Sequence, residues 1–369
     1  MSKPFIQSIN YMRGLCMLGV IGIHAGSYSL TNAYVNTALV ALFEILSRFS
    51  VPAFFFLSAF GMFYSQPLRE KFNYSSFIRR RARTVFFPYL CWSGIYIAYL
   101  TIVSHSFEGW SPVVLWNTLL YGLACYHIYF LVILLWFYAL MPFWRLLLLK
   151  MMPQAKVTFT ILFVLNVWFN FESAYLWSFH SDHIWLQNAF DYRLNYVVFH
   201  YLFIFMFGAY TAEKFDDVKN WLSRHSILLC TAYGISVLSM LAAYYGFILY
   251  KGYDPLSAVN TVHQLSPVGM VYTFFSMLFL VWLWECNPVP TWVHHMFSVL
   301  GNYSYPIYLV HPLVMFVITG FYHFLGITFT AVNIILTYIA TVCSSTLVAV
   351  LLEKNKLPGP IRIALLGKK

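Results

Sequence analysis

The chain has 369 residues, of which 61% are hydrophobic and only 9% are charged, and its formal net charge is +10. So few polar groups cannot cover the surface of a water-soluble globule, so the composition excludes a soluble protein and predicts an integral membrane protein. Apolar runs recur along the whole length. We therefore expect a single membrane domain, 1–369, with a transmembrane core at about 10–352 and a short basic cytoplasmic tail at 353–369.

The apolar runs predict an all-α polytopic bundle of about ten transmembrane helices, because a helix satisfies its own backbone hydrogen bonds in lipid. The first run leads into the others without a small-residue cleavage site, so we expect a retained helix rather than a signal peptide. In chain order the predicted spans are 10–30, 38–64, 85–104, 126–147, 157–173, 195–212, 226–250, 263–285, 297–320 and 328–352.

The basic residues are biased toward one side of these spans. Eighteen of the 22 Lys and Arg residues lie at the chain ends or in the alternate loops that share a side with them. Because cytoplasmic loops are enriched in Lys and Arg, both termini are predicted to be cytoplasmic. We expect the membrane to be a bacterial plasma membrane. The same bias accounts for the net charge, so the lipid bilayer is an expected partner and nucleic acid is not.

The first predicted helix carries two ionisable residues in the stretch RGLCMLGVIGIH, Arg13 and His24. Eleven residues at 100° each come close to three full turns, so both side chains lie on one face, roughly 16.5 Å apart along the axis. Ionisable groups in a membrane are costly and usually mark a function. The alternative is that Arg13 snorkels to the surface while His24 donates to a carbonyl group.

The second predicted helix contains Glu44 and Arg48 at i and i+4, where they can form an ion pair. Arg48 is expected at about the depth of His24. A structural ion pair and a contact with substrate remain alternative interpretations of this motif. Pro52 follows and is predicted to kink the helix.

A cluster of arginines precedes the third predicted span: Arg79, Arg80, Arg81 and Arg83. Such a cluster can anchor the topology and attract anionic lipid. It can equally bind a polyanionic cytoplasmic ligand, because guanidinium groups match the geometry of phosphate.

Two further histidines in apolar segments, His127 and His311, are candidates for substrate binding. The loop string from His180 to His183 has residue types that bind metals, but nothing else indicates an ion, and no metal is predicted. The six cysteines show no C-x-x-C spacing and are expected to be packing residues.

Four stretches together resemble the acyltransferase 3 family of multi-pass membrane acyltransferases, and the resemblance spans nearly the whole chain. They are Arg13-x10-His24, Arg48 with the following SVPAFFFLSAF, HIYFL beginning at His127, and GNYSYPIYLVHP, which contains His311. Two positions depart from the family pattern. Ala59 replaces a usual glycine, and the cytoplasmic R-x-x-R fits either Arg80 and Arg83 or, counted back from Pro88, Arg81 and Thr84.

The resemblance implies that an acyl group, most simply acetyl, passes from cytoplasmic acyl-CoA to a hydroxyl of an exported or surface polysaccharide. It assigns catalysis to His24, Arg13 and Arg48 and the acyl-CoA site to the arginine cluster. The candidates for substrate contact are Glu44, His127 and His311. His24 acts either as a general base or through a covalent acyl-histidine. Polysaccharide synthesis proteins are further candidate partners.

Two other classes of function stay open. Buried charges and a polar cavity also suit a transporter or flippase for a glycan. The other class is a non-catalytic assembly subunit of a polysaccharide synthesis machine. The sequence leaves the acceptor, the choice between acetyl and succinyl, and the oligomeric state undetermined.

Overall fold

The computed structural model describes residues 4–31 and 35–368, so the predicted cytoplasmic Lys3 and Lys369 lie outside the described residues. All regular structure in these two ranges is helical, which confirms the predicted all-α polytopic bundle. The α-helices are α1 (Gln7–Ser27), α2 (Thr37–Val40), α3 (Ser50–Ser65), α4 (Tyr74–Arg81), α5 (Phe87–Ser104), α6 (Pro112–Tyr121), α7 (Tyr129–Ala139), α8 (Met141–Met151), α9 (Ala155–Phe171), α10 (Ile184–Asp191), α11 (Leu202–Glu213), α12 (Phe215–Arg224), α13 (Ser226–Lys251), α14 (Pro255–Thr261), α15 (Pro267–Cys286), α16 (Thr291–Asn302), α17 (Ser304–Phe324), α18 (Ala331–Lys354) and α19 (Gly359–Leu366).

Within the described ranges, eight continuous helical stretches are long and apolar enough to cross a membrane. They are Gln7–Thr31, Thr37–Ser65, Tyr74–Ser104, Met141–Leu176, Ser226–Lys251, Pro267–Cys286, Ser304–Phe324 and Ala331–Lys354. Two of the ten predicted spans do not reach this length as single helices. The predicted span 126–147 is divided at Leu140 between α7 and α8, and 195–212 contains the 12-residue helix α11.

Helices α7 and α11 are short and lie inside the protein. Most of their side chains are buried on all sides, whereas long helices such as α13 are largely exposed on their outer faces. A helix that is apolar all round and only three turns long is typical of a buried core element. The hydrophobicity of these two helices therefore reflects burial against other helices, and neither helix needs to contact lipid.

Helix α1 is the central element of the bundle, since α3, α15, α16, α17 and α18 all pack against it. Small residues allow this close approach. A Cβ atom at Gly19 would lie 2.0 Å from Ser50 Oγ on α3, so a larger residue there would require the Ser50 side chain to move. Small residues at helix crossings are typical of membrane proteins, in which helices associate through close packing.

Helix α3 also packs closely against α11, where a Cβ atom at Gly208 would lie 2.3 Å from the Phe56 carbonyl oxygen. Ala59, at the position of the usual family glycine, is fully buried in α3. The bundle thus holds α1, α3 and α11 in close contact.

The helix that carries Glu44 and Arg48 is interrupted just before Pro52. A π-helical turn covers Ala41–Ile45, residues 46–49 form turns, and regular helix resumes at Ser50. Proline cannot donate a backbone hydrogen bond, so the carbonyl of Arg48, four residues earlier, loses its usual partner. The predicted loosening of backbone hydrogen bonds before Pro52 is therefore present, and Arg48 lies within the interrupted segment.

The end of the chain is folded against the bundle. Helix α19 packs on α5, and Trp92 Nε1 donates to the Leu365 carbonyl at 3.0 Å. Gly367 has a φ of 66° and lies so close to the Thr84 carbonyl that a Cβ atom would be 2.3 Å away. The predicted basic tail thus includes a docked helix next to Thr84.

Candidate active site

Three histidines that are distant in sequence meet inside the bundle. His24 lies on α1, His127 lies in the turn before α7, and His311 lies on α17. The His24 and His311 rings are stacked with centroids 5.5 Å apart, and the His127 and His311 centroids are 5.2 Å apart. Tyr126 packs against His24 at 4.2 Å. The fold therefore unites the three predicted histidines in one cluster.

The orientation of His311 follows from its neighbour Pro312. Proline lacks the N–H that would bond the Tyr308 carbonyl four residues earlier in α17. His311 Nδ1 lies 2.8 Å from that carbonyl oxygen. A carbonyl can only accept, so Nδ1 carries the proton and Nε2 keeps its lone pair. The His-Pro pair thus fixes one tautomer of a fully buried imidazole.

Several polar atoms of the cluster are buried without a hydrogen-bond partner. They are His311 Nε2 and both ring nitrogens of His127, whose side chain is only 3% exposed. Nearly all buried polar atoms in proteins have a hydrogen-bond partner, so atoms without one mark a place where a ligand or water supplies the missing bond. This cluster has three such nitrogens, which suits it for binding hydroxyl groups or moving protons.

Arg48 reaches the same region from the interrupted second helix. Its Nη2 lies 2.8 Å from Glu44 Oε2, and its Nη1 lies 3.4 Å from Gln264 Oε1. Arg48 Nε is buried without a partner. Glu44 is 3% exposed, so the predicted i,i+4 ion pair is formed inside the protein and leaves one guanidinium N–H free to donate. A buried pair of this kind orients the arginine.

His24, His127 and Arg48 line a cavity of about 190 Å³, which we call the histidine cavity, and His311 packs against both of these histidines. Its lining comes from α1, α3, α7 and α17, from the turns before α3 and α7, and from the turn before α15. The lining residues are Val20, Ile23, His24, Arg48, Val51, Phe54, Tyr126, His127, Tyr129, Phe130, Gln264 and Tyr308.

A second cavity, of about 230 Å³, lies toward the Arg13 end of α1, and we call it the arginine cavity. Two arginines and several hydroxyl groups line it: Arg13, Arg81, Ser58, Thr84, Tyr138, Ser304 and Tyr305. The Arg81 guanidinium lies 4.9 Å from the Tyr138 ring centroid, and Arg81 Nε and Thr84 Oγ1 are buried without hydrogen-bond partners. The cavity therefore offers cations and unpaired donors to an anionic ligand.

The four arginines of the predicted cluster divide into two groups. Arg81 is partly buried and lines the arginine cavity, whereas Arg79, Arg80 and Arg83 are exposed on the surface. The pair that faces the cavity is Arg81 and Thr84, which is the second of the two alignments the sequence allowed. A π-helical turn at Ala82–Phe86 contains Thr84 and separates Arg81, the last residue of α4, from the regular helix α5.

The sequence indicated His24, Arg13, Arg48, His127 and His311, and the fold places each of them at one of the two cavities or in contact with its lining. It did not indicate Tyr126, Gln264 or Tyr308, which complete the histidine cavity from separate elements. No local pattern marks a glutamine in a loop 216 residues away from its arginine partner. Among the described residues, no group of three or more His, Cys, Asp or Glu side chains is arranged to hold a metal ion.

The fold and the site define a helical integral membrane protein with two neighbouring cavities that share three lining residues. A model of the acyltransferase 3 family, described as an acyltransferase domain, matches residues 6–354. The chain therefore belongs to that family, and it is an acyltransferase by family membership.

The curated relatives are more distant. Proteins of Staphylococcus aureus strains MSSA476 and MRSA252, named probable poly-β-1,6-N-acetyl-D-glucosamine export proteins, are each 22% identical to this chain over 162 residues. The match covers 44% of this chain and 42% of each relative, so it spans less than half of either protein. No solved structure matches the chain significantly.

Proposed function

We propose that the protein transfers an acyl group, acetyl, from cytoplasmic acyl-CoA to a hydroxyl of an exported or surface polysaccharide at the plasma membrane. The observation that carries this proposal is the pair of cavities, one cationic and one rich in histidine, which share a wall within a single bundle. With both termini in the cytoplasm, as the positive charges predict, the arginine cavity faces the cytoplasm and the histidine cavity lies toward the outer side.

The arginine cavity suits the donor. Coenzyme A is a polyanion, and the guanidinium groups of Arg13 and Arg81 can each form two parallel hydrogen bonds to a phosphate oxygen pair. The unpaired Arg81 Nε and Thr84 Oγ1 are donors that phosphate would satisfy. The arm that carries the thioester then extends along α1 toward His24.

The histidine cavity suits the transfer step. In the proposed reaction, His24 takes the proton of the acceptor hydroxyl while the hydroxyl oxygen attacks the thioester carbonyl carbon. The carbon–sulfur bond then breaks, the acceptor keeps the acyl group as an ester, and the imidazolium returns its proton to the departing thiolate. Arg48 donates to the oxyanion that forms on the carbonyl oxygen, an effect worth about 2.7–4 kcal/mol where it has been measured.

Two other histidines support this step. The unpaired nitrogens of His127 and His311 are available to hold the acceptor hydroxyl next to His24. A covalent acyl-imidazole at His24 is the alternative chemistry, in which the acyl group rests on the histidine before the acceptor arrives. Rapid quenching followed by mass spectrometry of the peptide that contains His24 distinguishes the two routes.

The decisive experiment uses inside-out vesicles from cells that make the protein, because these vesicles hold the natural acceptor. Labelled acetyl-CoA is supplied to the cytoplasmic face, and label in the polysaccharide is measured without any ion gradient. We expect labelling with the wild type and none with His24→Ala. Equal labelling in both vesicle preparations would contradict the proposal.

A second candidate function is the export of a glycan, which the name of the Staphylococcus aureus relatives favours. An exporter needs a path for the glycan but no acyl donor. Comparing the amount and the mass of surface polysaccharide with and without the gene separates the two. Loss of ester groups from polysaccharide of unchanged amount supports acyl transfer, whereas loss of the polysaccharide itself supports export.

A further inference from the structure

Three aromatic side chains form a partition between the two cavities. Phe54 on α3, Phe130 on α7 and Tyr308 on α17 each line both the arginine cavity and the histidine cavity. The ring centroids of Phe54 and Phe130 are 6.1 Å apart, and those of Phe130 and Tyr308 are 5.6 Å apart. A group that moves from one cavity to the other must therefore pass these three rings.

The surroundings hold two of the three rings in place. The Tyr308 hydroxyl donates to the carbonyl of His127, which ties the ring to the histidine cluster. Phe130 is buried and packs against Phe55 with ring centroids 4.6 Å apart. Phe54 is only partly buried, so it has more freedom to move. Packed interiors tolerate little extra volume, so a larger group meets resistance at the partition.

The partition also has no free hydrogen-bond donor for a negatively charged group. Phe54 and Phe130 have no hydrogen-bond donors, and the Tyr308 hydroxyl already donates to a carbonyl. Beyond it, Arg48 is paired with Glu44 through Nη2, and the proposed reaction uses its one free donor, Nε–H, for the oxyanion. A carboxylate that enters such a site without a partner loses its hydration and gains little in return. The chemistry of the partition thus disfavours an acyl group that ends in a carboxylate.

We infer that the partition of Phe54, Phe130 and Tyr308 selects the acyl group of the donor, admitting short uncharged acyl groups such as acetyl and excluding succinyl and longer chains. This inference rests on the proposed function, because it assumes that the thioester end of acyl-CoA crosses from the arginine cavity to His24. It assigns specificity to three residues that neither donate nor accept a proton in the transfer step.

The test compares acetyl-, butyryl- and succinyl-CoA in the same inside-out vesicles, with release of the coenzyme A thiol as the readout. The His24→Ala protein supplies the background. We expect the wild type to prefer acetyl-CoA by about ten-fold or more over butyryl-CoA, the range that added methylenes produce in tight apolar sites. Phe54→Ala should raise the ratio of butyryl to acetyl turnover by roughly ten-fold.

Phe55→Leu is the matched control, because Phe55 packs against Phe130 but lines neither cavity. It should leave the acyl-group ratio unchanged. Phe130→Leu is the second test variant, in case Phe54→Ala reduces the amount of folded protein. Succinyl-CoA should stay a poor donor in both test variants, because added space supplies no partner for its carboxylate.

The inference is overturned if the folded Phe54→Ala and Phe130→Leu proteins both keep the wild-type acyl-group ratio, or if the wild type uses succinyl-CoA as well as acetyl-CoA. Either result leaves the acyltransferase proposal intact, because transfer that depends on His24 is still observed. If no acyl-CoA gives thiol release above the His24→Ala background, then the proposed function itself fails and this inference fails with it.

Discussion

Pro312 determines the orientation of the neighbouring His311 ring. Proline deprives the Tyr308 carbonyl of its helical partner, and His311 Nδ1 takes that place at 2.8 Å. The imidazole consequently presents an unprotonated Nε2 to the interior, beside the His24 ring. A helix defect that costs hydrogen bonding in the backbone therefore fixes the tautomer of a side chain.

The substitution Pro312→Ala tests this relation. Alanine restores the backbone N–H, which competes with His311 Nδ1 for the Tyr308 carbonyl, so the ring loses its fixed orientation. We expect unchanged or higher thermal stability together with a fall in acyl transfer of between about ten-fold and a hundred-fold, as small misplacements in active sites produce. Thermal unfolding and vesicle labelling measure the two effects. A variant that loses stability and activity in parallel would instead indicate a structural role for the proline.

The substitution His24→Ala addresses the proposed base directly. Alanine is well tolerated in a helix, so the variant should insert and fold normally, but the reaction loses its proton acceptor. We expect polysaccharide acylation to fall to background. Quantifying surface esters alongside the amount of protein in the membrane checks this. Near-normal acylation by a well-expressed variant would end the assignment of His24.

The ion pair of Arg48 and Glu44 makes an asymmetric prediction. If Arg48 donates to the developing oxyanion and Glu44 orients it, Arg48→Ala should cost more activity than Glu44→Ala, by roughly ten-fold. Both variants break the same buried pair, so each serves as the stability control for the other. Activity and thermal stability are measured for both. Equal losses of activity with equal losses of stability would support a purely structural pair.

At the scale of helices, close packing depends on specific small residues. Gly208 on α11 lies against the backbone of Phe56 on α3, and this contact joins a short buried helix to the helix that supplies Phe54. Gly234 on α13 is also helical, but a Cβ atom there would contact nothing within 4 Å. The two glycines thus differ in their surroundings while sharing their backbone conformation.

We therefore predict opposite results for Gly208→Ala and Gly234→Ala. The first forces α3 and α11 apart and should destabilise the protein by about 1–3 kcal/mol, the usual cost of overpacking. The second removes a flexible residue from an exposed helix and should be neutral or stabilising by up to about 1 kcal/mol. Thermal unfolding in detergent compares them. Similar effects of both substitutions would contradict the close packing of α3 and α11.

The sequence predicted the helical class and most of the long helices, because their hydrophobic runs are long and bounded by charges. It could not distinguish a buried helix from one in lipid, since α7 and α11 are as apolar as true spanning helices. For the site, helical periodicity alone put Arg13 and His24 on one face. The meeting of His24 with His127 and His311 depends on packing between distant segments, which no local pattern encodes.

At the scale of the whole molecule, the two cavities lie in series along α1, with Arg13 at one and His24 at the other. In the proposed reaction, the phosphates of acyl-CoA bind at the arginine cavity and its thioester reacts at the histidine cavity, so the donor extends across both. The exposed arginines outside the arginine cavity have a separate role in this scheme, because orientation in the membrane depends on positive charge and not on the shape of the cation.

The last prediction separates binding of the donor from orientation in the membrane. Arg81→Lys keeps the charge but loses the planar guanidinium at the arginine cavity, so acetyl-CoA should bind several-fold more weakly. The triple variant with Arg79, Arg80 and Arg83 changed to lysine is the matched control and should bind nearly as the wild type does. Calorimetric titration measures the affinity, and cysteine accessibility should show the same topology in both variants.

Added salt should weaken wild-type binding, since part of the attraction is between partly exposed charges. Equal weakening by both variants would indicate that the four arginines attract the donor only through their total charge. Unchanged affinity in Arg81→Lys would contradict the proposal that the arginine cavity binds the donor.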